Sequence, residues 1–420
     1  MKPSTVASRP RGTEDVLPEA AVSWRRVERI AADLAARYGF GEIRTPSFEH
    51  RELIHHVGES TDVVQKETYD FTDRGGRALT LRPEGTAPVV RACLEGGLFA
   101  RGFPVKVYYV TLSAFRYERP QAGRLREHHQ FGCEVFGAPG PAADAELMAL
   151  LAAFLAEAGI REASARLNSI GCPVCRPAYR EALVGYYASR AETLCGDCRR
   201  RLEQNPLRLL DCKVDREAAL GAPHALDHLC ADCGAHLAEL RALLEAAGVP
   251  YSIDHLLVRG FDYYTRTVFE FVHGGIGAQA ALGGGGRYDG LVESLGGPPT
   301  PAAGFALGLE RLLLALEQEG AVAEPDAPCQ LFVAGPAARA LPLALEARRA
   351  GLRADFDPLG RSLKAQFRHA DRLGARFVAV LEADGGPAAT LRDMEAKTQR
   401  EIARAALVGA VRAALASRGG

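Results

Sequence analysis

The chain has 420 residues, 47% hydrophobic and 25% charged, with a net charge of −1, the make-up of an ordinary globular protein of two or three domains. No stretch approaches the roughly 18 consecutive apolar residues of a membrane span. The opening Met1–Pro18 has charges and prolines without a signal-peptide core, so no membrane is implicated and a cytoplasmic location is expected. The near-neutral balance hides a split, because residues 329–420 hold 15 Lys and Arg against 9 Asp and Glu, a surplus of +6, while residues 1–328 carry −7. A basic segment on an acidic body points toward nucleic acid.

Apolar residues at helical spacing predict a helix over Arg25–Tyr38. Gly39–Pro46 reads as a turn into a short strand. Strand-like runs follow at Ala78–Leu81, Lys106–Thr111, Ala114–Glu118 and Gln130–Phe136, and antiparallel strands joined by long loops suit an α+β domain. Ala142–Gly159 is an alanine- and leucine-rich helix. Residues 171–250 hold seven of the ten cysteines among charged helical sequence and read as an inserted helical subdomain. Strand-like sequence returns at Tyr251, and Thr300–Leu316 carries a strand into a helix. Glu317–Pro328 has the composition of a linker. Strand and helix then alternate through Gln330–Ala334, Ala337–Ala350, Arg353–Phe356, Ser362–Leu373 and Phe377–Leu381, which predicts a small α/β domain with a mostly parallel sheet. In the helix over Ser362–Leu373, Ser362 is the expected N-cap and Leu363, Phe367 and Ala370 the apolar face. Lys364, Arg368 and Arg372 form a basic stripe able to track phosphates. The domain plan is therefore 1–170 with 251–320, an insert at 171–250, and 329–420.

Strand alternation places Gln130, Gly132 and Glu134 on one face, with room at the glycine for an ammonium group or an imidazole. The same argument aligns Glu84 and Thr86 around Gly85. In Leu256–Thr265, Arg259 leaves an apolar strand beside a glycine, which suits an anion in a half-dry pocket. Tyr263 and Tyr264 offer a flat wall for a small polar ring. Arg116 and Glu118 share a face, and the basic loop Arg119–His129, with Arg124, follows them. Glycines alternate with apolar residues before Arg311, but no Gly-Lys-Ser/Thr follows, so this is not a P-loop. Cys172-x-x-Cys175 and Cys195-x-x-Cys198, 19 residues apart, have zinc-ribbon-like spacing. Cys212 and the pair Cys230-x-x-Cys233 follow, with His236 nearby. A structural zinc on Cys172, Cys175, Cys195 and Cys198 is expected, with the later pair completing a different set as an alternative and buried free thiols as the rival.

Taken together, Thr80–Thr86, Phe115–Pro120, Leu256–Thr265 and Gly304–Arg311 resemble histidyl-tRNA synthetase, a class II aminoacyl-tRNA synthetase family, and the resemblance runs from Arg11–Asp15 into the C-terminal domain. It implies an antiparallel-sheet catalytic domain with the helical insert, plus a C-terminal α/β domain that binds the anticodon stem. It also implies a homodimer formed around Pro46. The implied activity joins histidine to tRNA(His) through histidyl-adenylate, with ATP and Mg2+. Glu84, Gly85, Thr86, Gln130, Glu134, Arg259, Tyr263 and Tyr264 would bind histidine. Arg116, Glu118, Arg124 and Arg311 would bind ATP, with Arg116 and Arg259 as the catalytic cations. Gly283–Asp289 resembles the family's second histidine motif, where a flexible backbone lines the pocket. The rival is an inactive synthetase-like regulatory subunit of ATP phosphoribosyltransferase. That regulator typically lacks the C-terminal domain and parts of the arginine-containing motif, both of which this chain keeps.

Overall fold

The strand-forming runs between Gly41 and Gly308 assemble, in a computed structural model of the chain, into one eight-stranded sheet. The structure describes residues 8–58, 61–322, 329–382 and 386–416. Across the sheet the strands run Gly41–Glu42, Val105–Phe115, Glu127–Phe136, Ala302–Gly308, Ala281–Arg287, Thr265–His273, Ala163–Ser169 and Tyr251–Ile253. The pairs at the two edges are parallel and the rest antiparallel. Lys106–Thr111 and Ala114–Glu118, read separately from sequence, join as far as Phe115 in one strand kinked at Thr111, where φ is 53° and the register slips. Ala78–Leu81 instead pairs in a small sheet with Phe48–His50 and Tyr69–Thr72.

Side-chain alternation drives the packing. Phe131, Cys133 and Val135 point into the core, and Phe131 lies 4.8 Å from the Phe154 ring. Phe154 belongs to the helix Ala142–Ala158, which is apolar almost all round and therefore buried. It packs against the helices Pro18–Arg37 and Ala231–Ala246 as well as the sheet. Gly159 ends it at φ 111°, its N–H bonded to the carbonyls of Leu155 and Ala156. The predicted insert is helical, with Arg176–Ala188, Gly196–Gln204, Arg216–Leu220 and Ala231–Ala246.

Arg287 is fully buried. Its guanidinium bonds the Asp144 carboxylate, Asp289 Oδ1 at 3.0 Å, and the carbonyls of Ala138 and Gly140 at 2.9 and 2.8 Å. Arg287→Ala strands Asp144 without its counter-charge, so we expect a loss of ~3–5 kcal/mol. The check is urea unfolding, with a lower midpoint at an unchanged slope.

The chain divides into two compact units, Met1–Ala323 and Glu324–Gly420. The predicted linker begins inside a helix, Leu309–Gln318, and its residues 323–328 lie outside the described residues. The second unit has a five-stranded sheet in the order Ala354–Phe356, Leu331–Ala334, Phe377–Val380, Ala388–Asp393, Thr398–Ala403. The first three strands are parallel and the last two antiparallel, so the sheet is mixed rather than mostly parallel. Ser362 stands at the N-cap of Leu363–Arg372, but its side chain makes no capping bond. Leu363 is exposed, and Gln366 turns inward in its place, bonding Gly335 N–H and the carbonyls of Gly335 and Arg361. Lys364, Arg368 and Arg372 are exposed, as a basic stripe requires.

Candidate active site

Gln130, Gly132 and Glu134 do share one face of Glu127–Phe136, and Glu134 is fully buried. The space expected at Gly132 is filled by the protein itself. A Cβ there would meet Tyr109 Cζ at 2.3 Å, and one at Gly85 would meet it at 2.6 Å. Tyr109 thus lies across both glycines and donates to Glu134 Oε1 at 3.4 Å. Glu84 and Thr86 are not on a strand, which corrects the alternation argument. Gly85 opens the helix Thr86–Glu95, and the Glu84 carboxylate accepts from the N–H groups of Thr86 at 2.6 Å and Ala87 at 2.8 Å. A negative charge is favoured at that helix end.

The Thr86 hydroxyl donates to Glu134 Oε1 at 2.9 Å, and the Tyr288 hydroxyl donates to Oε2. Burial pushes the Glu134 carboxyl up to about 8, against the pull of the Tyr288 and Thr86 hydroxyls and with help from the Glu84 charge. Burial also raises Glu84, against its two backbone N–H bonds. Gly304 pairs with Glu134 on the next strand, and a Cβ on it would fall 1.7 Å from Glu134 Oε2. Only a glycine can stand there.

Leu256–Val258 is a loop rather than a strand, running between Tyr251–Ile253 and Thr265–His273. Arg259 Nη1 donates to Glu270 Oε1 at 3.0 Å. It lies 2.9 Å from where a Cβ on Gly284 would stand. Arg259 Nε is buried without a protein partner. Tyr263 and Tyr264 are tilted by 37°, so they do not make one flat wall. Phe261 stacks on Tyr263 at 5.3 Å, and Tyr288 meets Tyr263 edge-on at 5.7 Å. Gly283–Gly286 is not flexible backbone. It is hydrogen-bonded strand on both sides, and a Cβ on Gly285 would lie 1.9 Å from the Gly304 carbonyl oxygen.

The strand carrying Arg116 and Glu118 ends at Phe115, so both residues stand in the loop beyond it. Arg116 Nε donates to the Pro83 carbonyl at 3.0 Å. Glu118 pairs with Arg124, whose Nη2 is 3.7 Å from Glu67 Oε1. Arg311 Nε donates to the Gly123 carbonyl at 3.0 Å, and its Nη1 to that of Ala281 at 2.9 Å. Burial and then the charges of Arg116 and Arg124 lower the Arg311 pKa. Burial and the same arginines push His128 down to about 3, so it is neutral. His128 Nδ1 and Gln130 Oε1 are also buried without protein partners.

These groups line one cavity of about 410 Å³, within the range of small-molecule sites. Arg116, Glu118, Arg124 and Arg311 form one part of its wall, and Glu84, Thr86, Gln130, Tyr263 and Tyr264 another, with Arg259 among them. Gly85 and Glu134 stand behind this surface, Glu134 directly beneath Gly304, which does line it. Arg116, Arg124, Arg208, Arg259 and Arg311 share the lining with Glu84, Glu118, Asp211, Glu270 and Glu310, so the cavity offers both cationic and anionic partners to a charged ligand. Sequence reasoning gave no role to Tyr109, His128, Glu270 or Tyr288. Tyr109 and Glu270 sit in ordinary strand sequence, whereas His128 and Tyr288 lie within Arg119–His129 and Gly283–Asp289, segments that the sequence marks out without assigning these two residues a part.

The insert reaches the same cavity, although its cysteines lie far from the site motifs in sequence. Arg208 and Asp211 line it, Arg208 Nη1 donates to the Arg259 carbonyl at 2.9 Å, and Asn205 Nδ2 to Asp262 Oδ1 at 2.5 Å. The expected set Cys172, Cys175, Cys195 and Cys198 is not one site. Cys172 and Cys175 meet Cys230 and Cys233, whereas Cys195 and Cys198 meet Cys212 and Asp215. The helix Arg176–Ala188 carries the chain from one cluster toward the other.

A family model described as histidyl-tRNA synthetase matches residues 12–312, and one described as anticodon binding domain matches residues 335–414. The histidine–tRNA ligase of Desulforudis audaxviator is 51% identical over 413 residues, covering 96% of this chain and 98% of the relative. That of Moorella thermoacetica is 49% identical over 412 residues, covering 96% and 97%. Among solved structures, apo histidyl-tRNA synthetase of S. aureus is 37% identical with a TM-score of 0.82, covering 96% of this chain and 99% of that one. An ATP phosphoribosyltransferase regulatory subunit/histidyl-tRNA synthetase from Bacillus halodurans C shares the fold at 24% identity, with a TM-score of 0.67 and coverage of 90% and 99%. Relatives this similar along nearly their whole length, and a family model spanning most of the chain, show that it belongs to the histidyl-tRNA synthetase family.

Proposed function

We propose that this protein is a histidine–tRNA ligase. Histidine and MgATP give histidyl-adenylate and pyrophosphate, and the 3′-terminal ribose hydroxyl of tRNA(His) then attacks the adenylate carbonyl, forming the ester as the bond to phosphate breaks and AMP and the hydroxyl proton are released. The observation that carries this reading is the meeting of Arg116, Arg259 and Arg311 with Glu84, Thr86 and Gln130 around one cavity. The histidine α-ammonium sits against Glu84, Thr86 and Gln130, beside the backbone of Gly85. Its imidazole lies on Tyr263 and Tyr264, with Glu134 buried behind the wall beneath Gly304. The histidine carboxylate attacks the α-phosphorus and pyrophosphate leaves. Negative charge grows on the phosphate oxygens in that step, so fixed cations bind the transition state more tightly than the ground state. Arg116 and Arg259 serve there, Arg311 holds the outer phosphates, and Glu118 and Arg124 part to bracket the nucleotide. Mg2+ arrives with ATP, whose phosphates hold most of its coordination.

The second unit, with its match to an anticodon-binding model and its exposed stripe of Lys364, Arg368 and Arg372, supports tRNA as the second substrate. The reading includes a homodimer. Phe48 and Phe71 of the small sheet just after Pro46 are 52% and 43% exposed, which suits a face that a second copy covers. It also includes a cytoplasmic location, where the charging substrates are. No helix among the described residues is long and apolar enough to cross a membrane. The inactive regulatory reading is disfavoured by the retention of all three arginines on the cavity and of the second unit. A panel of amino acids in ATP–pyrophosphate exchange tests the proposal. Histidine alone should support exchange, and exchange driven by another amino acid, or by none, overturns it.

Glu134 yields a test that needs no substrate. Its carboxyl titrates near 8 in the folded protein against an ordinary 4.5. Its contribution to stability is therefore fully present below about 4.5 and is lost as pH rises toward about 8, by an amount on the order of a few kcal/mol. Glu134→Gln removes the ionisable group. The melting temperature of the variant minus that of the parent should rise between pH 5 and pH 8 and then level off. A difference independent of pH would show that Glu134 is not a buried, proton-holding carboxyl.

A further inference from the structure

The insert holds two groups of metal-ligating side chains that the ligase reading does not use. At its neck, Cys172 and Cys175 follow the strand Ala163–Ser169, where the chain leaves the large sheet. Cys230 and Cys233 lie at the start of the helix Ala231–Ala246, which leads back to the sheet at Tyr251. The sulfurs of Cys172 and Cys175 are 3.7 Å apart, those of Cys172 and Cys230 3.8 Å, and those of Cys175 and Cys233 3.8 Å. A tetrahedron of thiolates bound to zinc at ~2.3 Å has edges of ~3.8 Å. A disulfide would need ~2.05 Å, so the spacing fits a shared cation and not a covalent pair. Cys172 N–H donates to Cys175 Sγ at 3.1 Å, the kind of bond that steadies a thiolate ligand. Gly171 has φ 71°, and a Cβ on it would strike Cys175 Sγ at 2.7 Å. A glycine there lets the backbone turn tightly under the cluster.

The second group lies farther into the insert. Cys195 caps the helix Gly196–Gln204, Cys198 sits in its first turn, and Cys212 and Asp215 come from the loop beyond. The sulfurs of Cys195 and Cys212 are 3.9 Å apart. Cys198 N–H donates to Cys195 Sγ at 3.4 Å, and Asp215 N–H to Cys212 Sγ at 3.4 Å. In both groups the candidate ligand atoms all lie within 4.8 Å of one another. Two cysteine hairpins bracketing one cation are how small units with thin cores are held. The insert's apolar core is small, and Cys198 and Cys212 are themselves part of it.

We propose that the insert carries two structural zinc sites, a four-thiolate site at its neck on Cys172, Cys175, Cys230 and Cys233, and a three-thiolate, one-carboxylate site on Cys195, Cys198, Cys212 and Asp215. Each has four protein ligands and no open position, so neither takes part in catalysis. Thiolate ligands select zinc over magnesium or calcium. The neck site ties the exit of the insert to its return. The second site holds the ends of the segment 196–211, whose Asn205 and Arg208 brace Asp262 and the Arg259 carbonyl. It therefore steadies the backbone that carries Arg259.

The test is elemental analysis of full-length protein purified without chelator or an immobilised-metal column. Two equivalents of zinc are expected, with one lost in Cys175→Ser and the other in Cys198→Ser. Less than about a tenth of an equivalent, with all ten thiols open to alkylation after denaturation, overturns the proposal in favour of free thiols. Fewer alkylatable thiols, restored by a reductant, overturns it in favour of disulfides. One equivalent that Cys175→Ser alone removes overturns the second site. Should the serine variants not fold, cobalt exchanged into the parent protein gives the answer. Two cobalt ions per chain with tetrahedral visible bands and sulfur-to-cobalt charge transfer are expected, and their absence overturns the proposal. Amide hydrogen exchange supplies the link to Arg259. Zinc-depleted Cys198→Ser should exchange faster over residues 256–264, and unchanged exchange there with zinc lost overturns the bracing role.

Discussion

Arg259→Ala is expected to lower histidine-dependent pyrophosphate exchange by about 10²–10³-fold, equivalent to roughly 2.7–4 kcal/mol of transition-state stabilisation. The fold should survive, because the ion-pair partner of the guanidinium, Glu270 at 3.0 Å, is itself 23% exposed, and its other neighbour is the Tyr264 ring. The loss should fall on kcat more than on KM for histidine, since a cation acting on the phosphate binds the transition state preferentially. Arg259→Lys should recover little, as an ammonium cannot reproduce the fork of donors. Near-normal exchange in the alanine variant, with an unchanged melting temperature, would remove Arg259 from the catalytic set.

Removing the second unit is expected to separate the two half-reactions. A chain ending near Gly320 keeps every residue of the cavity and should still form histidyl-adenylate. It should charge tRNA at least tenfold more slowly at subsaturating tRNA, because phosphate contacts from the basic unit supply much of the affinity. The full chain should lose tRNA affinity steeply as salt rises, through release of condensed counterions. Arg368→Glu should weaken charging without affecting adenylate formation. Equal charging by the truncated and full chains would show that residues 329–420 do not bind tRNA.

Particular residues show what could be read from sequence alone. Gln130 and Glu134 were legible as one face because a strand repeats every two residues and this segment is a long, paired strand. The same rule failed at Glu84–Thr86, where the geometry belongs to a helix N-terminus and the carboxylate caps instead of projecting from a strand. Arg116, Arg259 and Arg311 were legible through short motifs. The filling of the Gly132 gap by Tyr109 depends on a strand some twenty residues away, and the tilt of Tyr263 on Tyr264 is set among the neighbouring rings of Phe261 and Tyr288. Glycine was read as flexibility at Gly283–Gly286, but adjacent strand backbones approach too closely there for any Cβ. The cysteine pairing failed because sequence spacing describes a hairpin and not which hairpins meet. The hairpin Ala388–Asp393 with Thr398–Ala403 went unread, its outer strand being almost wholly exposed and so without an apolar alternation to see.

The most direct test of the account is aminoacylation. Purified protein is incubated with ATP, Mg2+, labelled histidine and unfractionated tRNA, and acid-precipitable label is followed. The account predicts histidine joined to one tRNA acceptor by an alkali-labile ester, dependent on ATP and slowed about 10²–10³-fold by Arg259→Ala. No transfer of histidine to any tRNA, by a protein that is folded and binds ATP, would contradict it and return the inactive regulatory reading to first place.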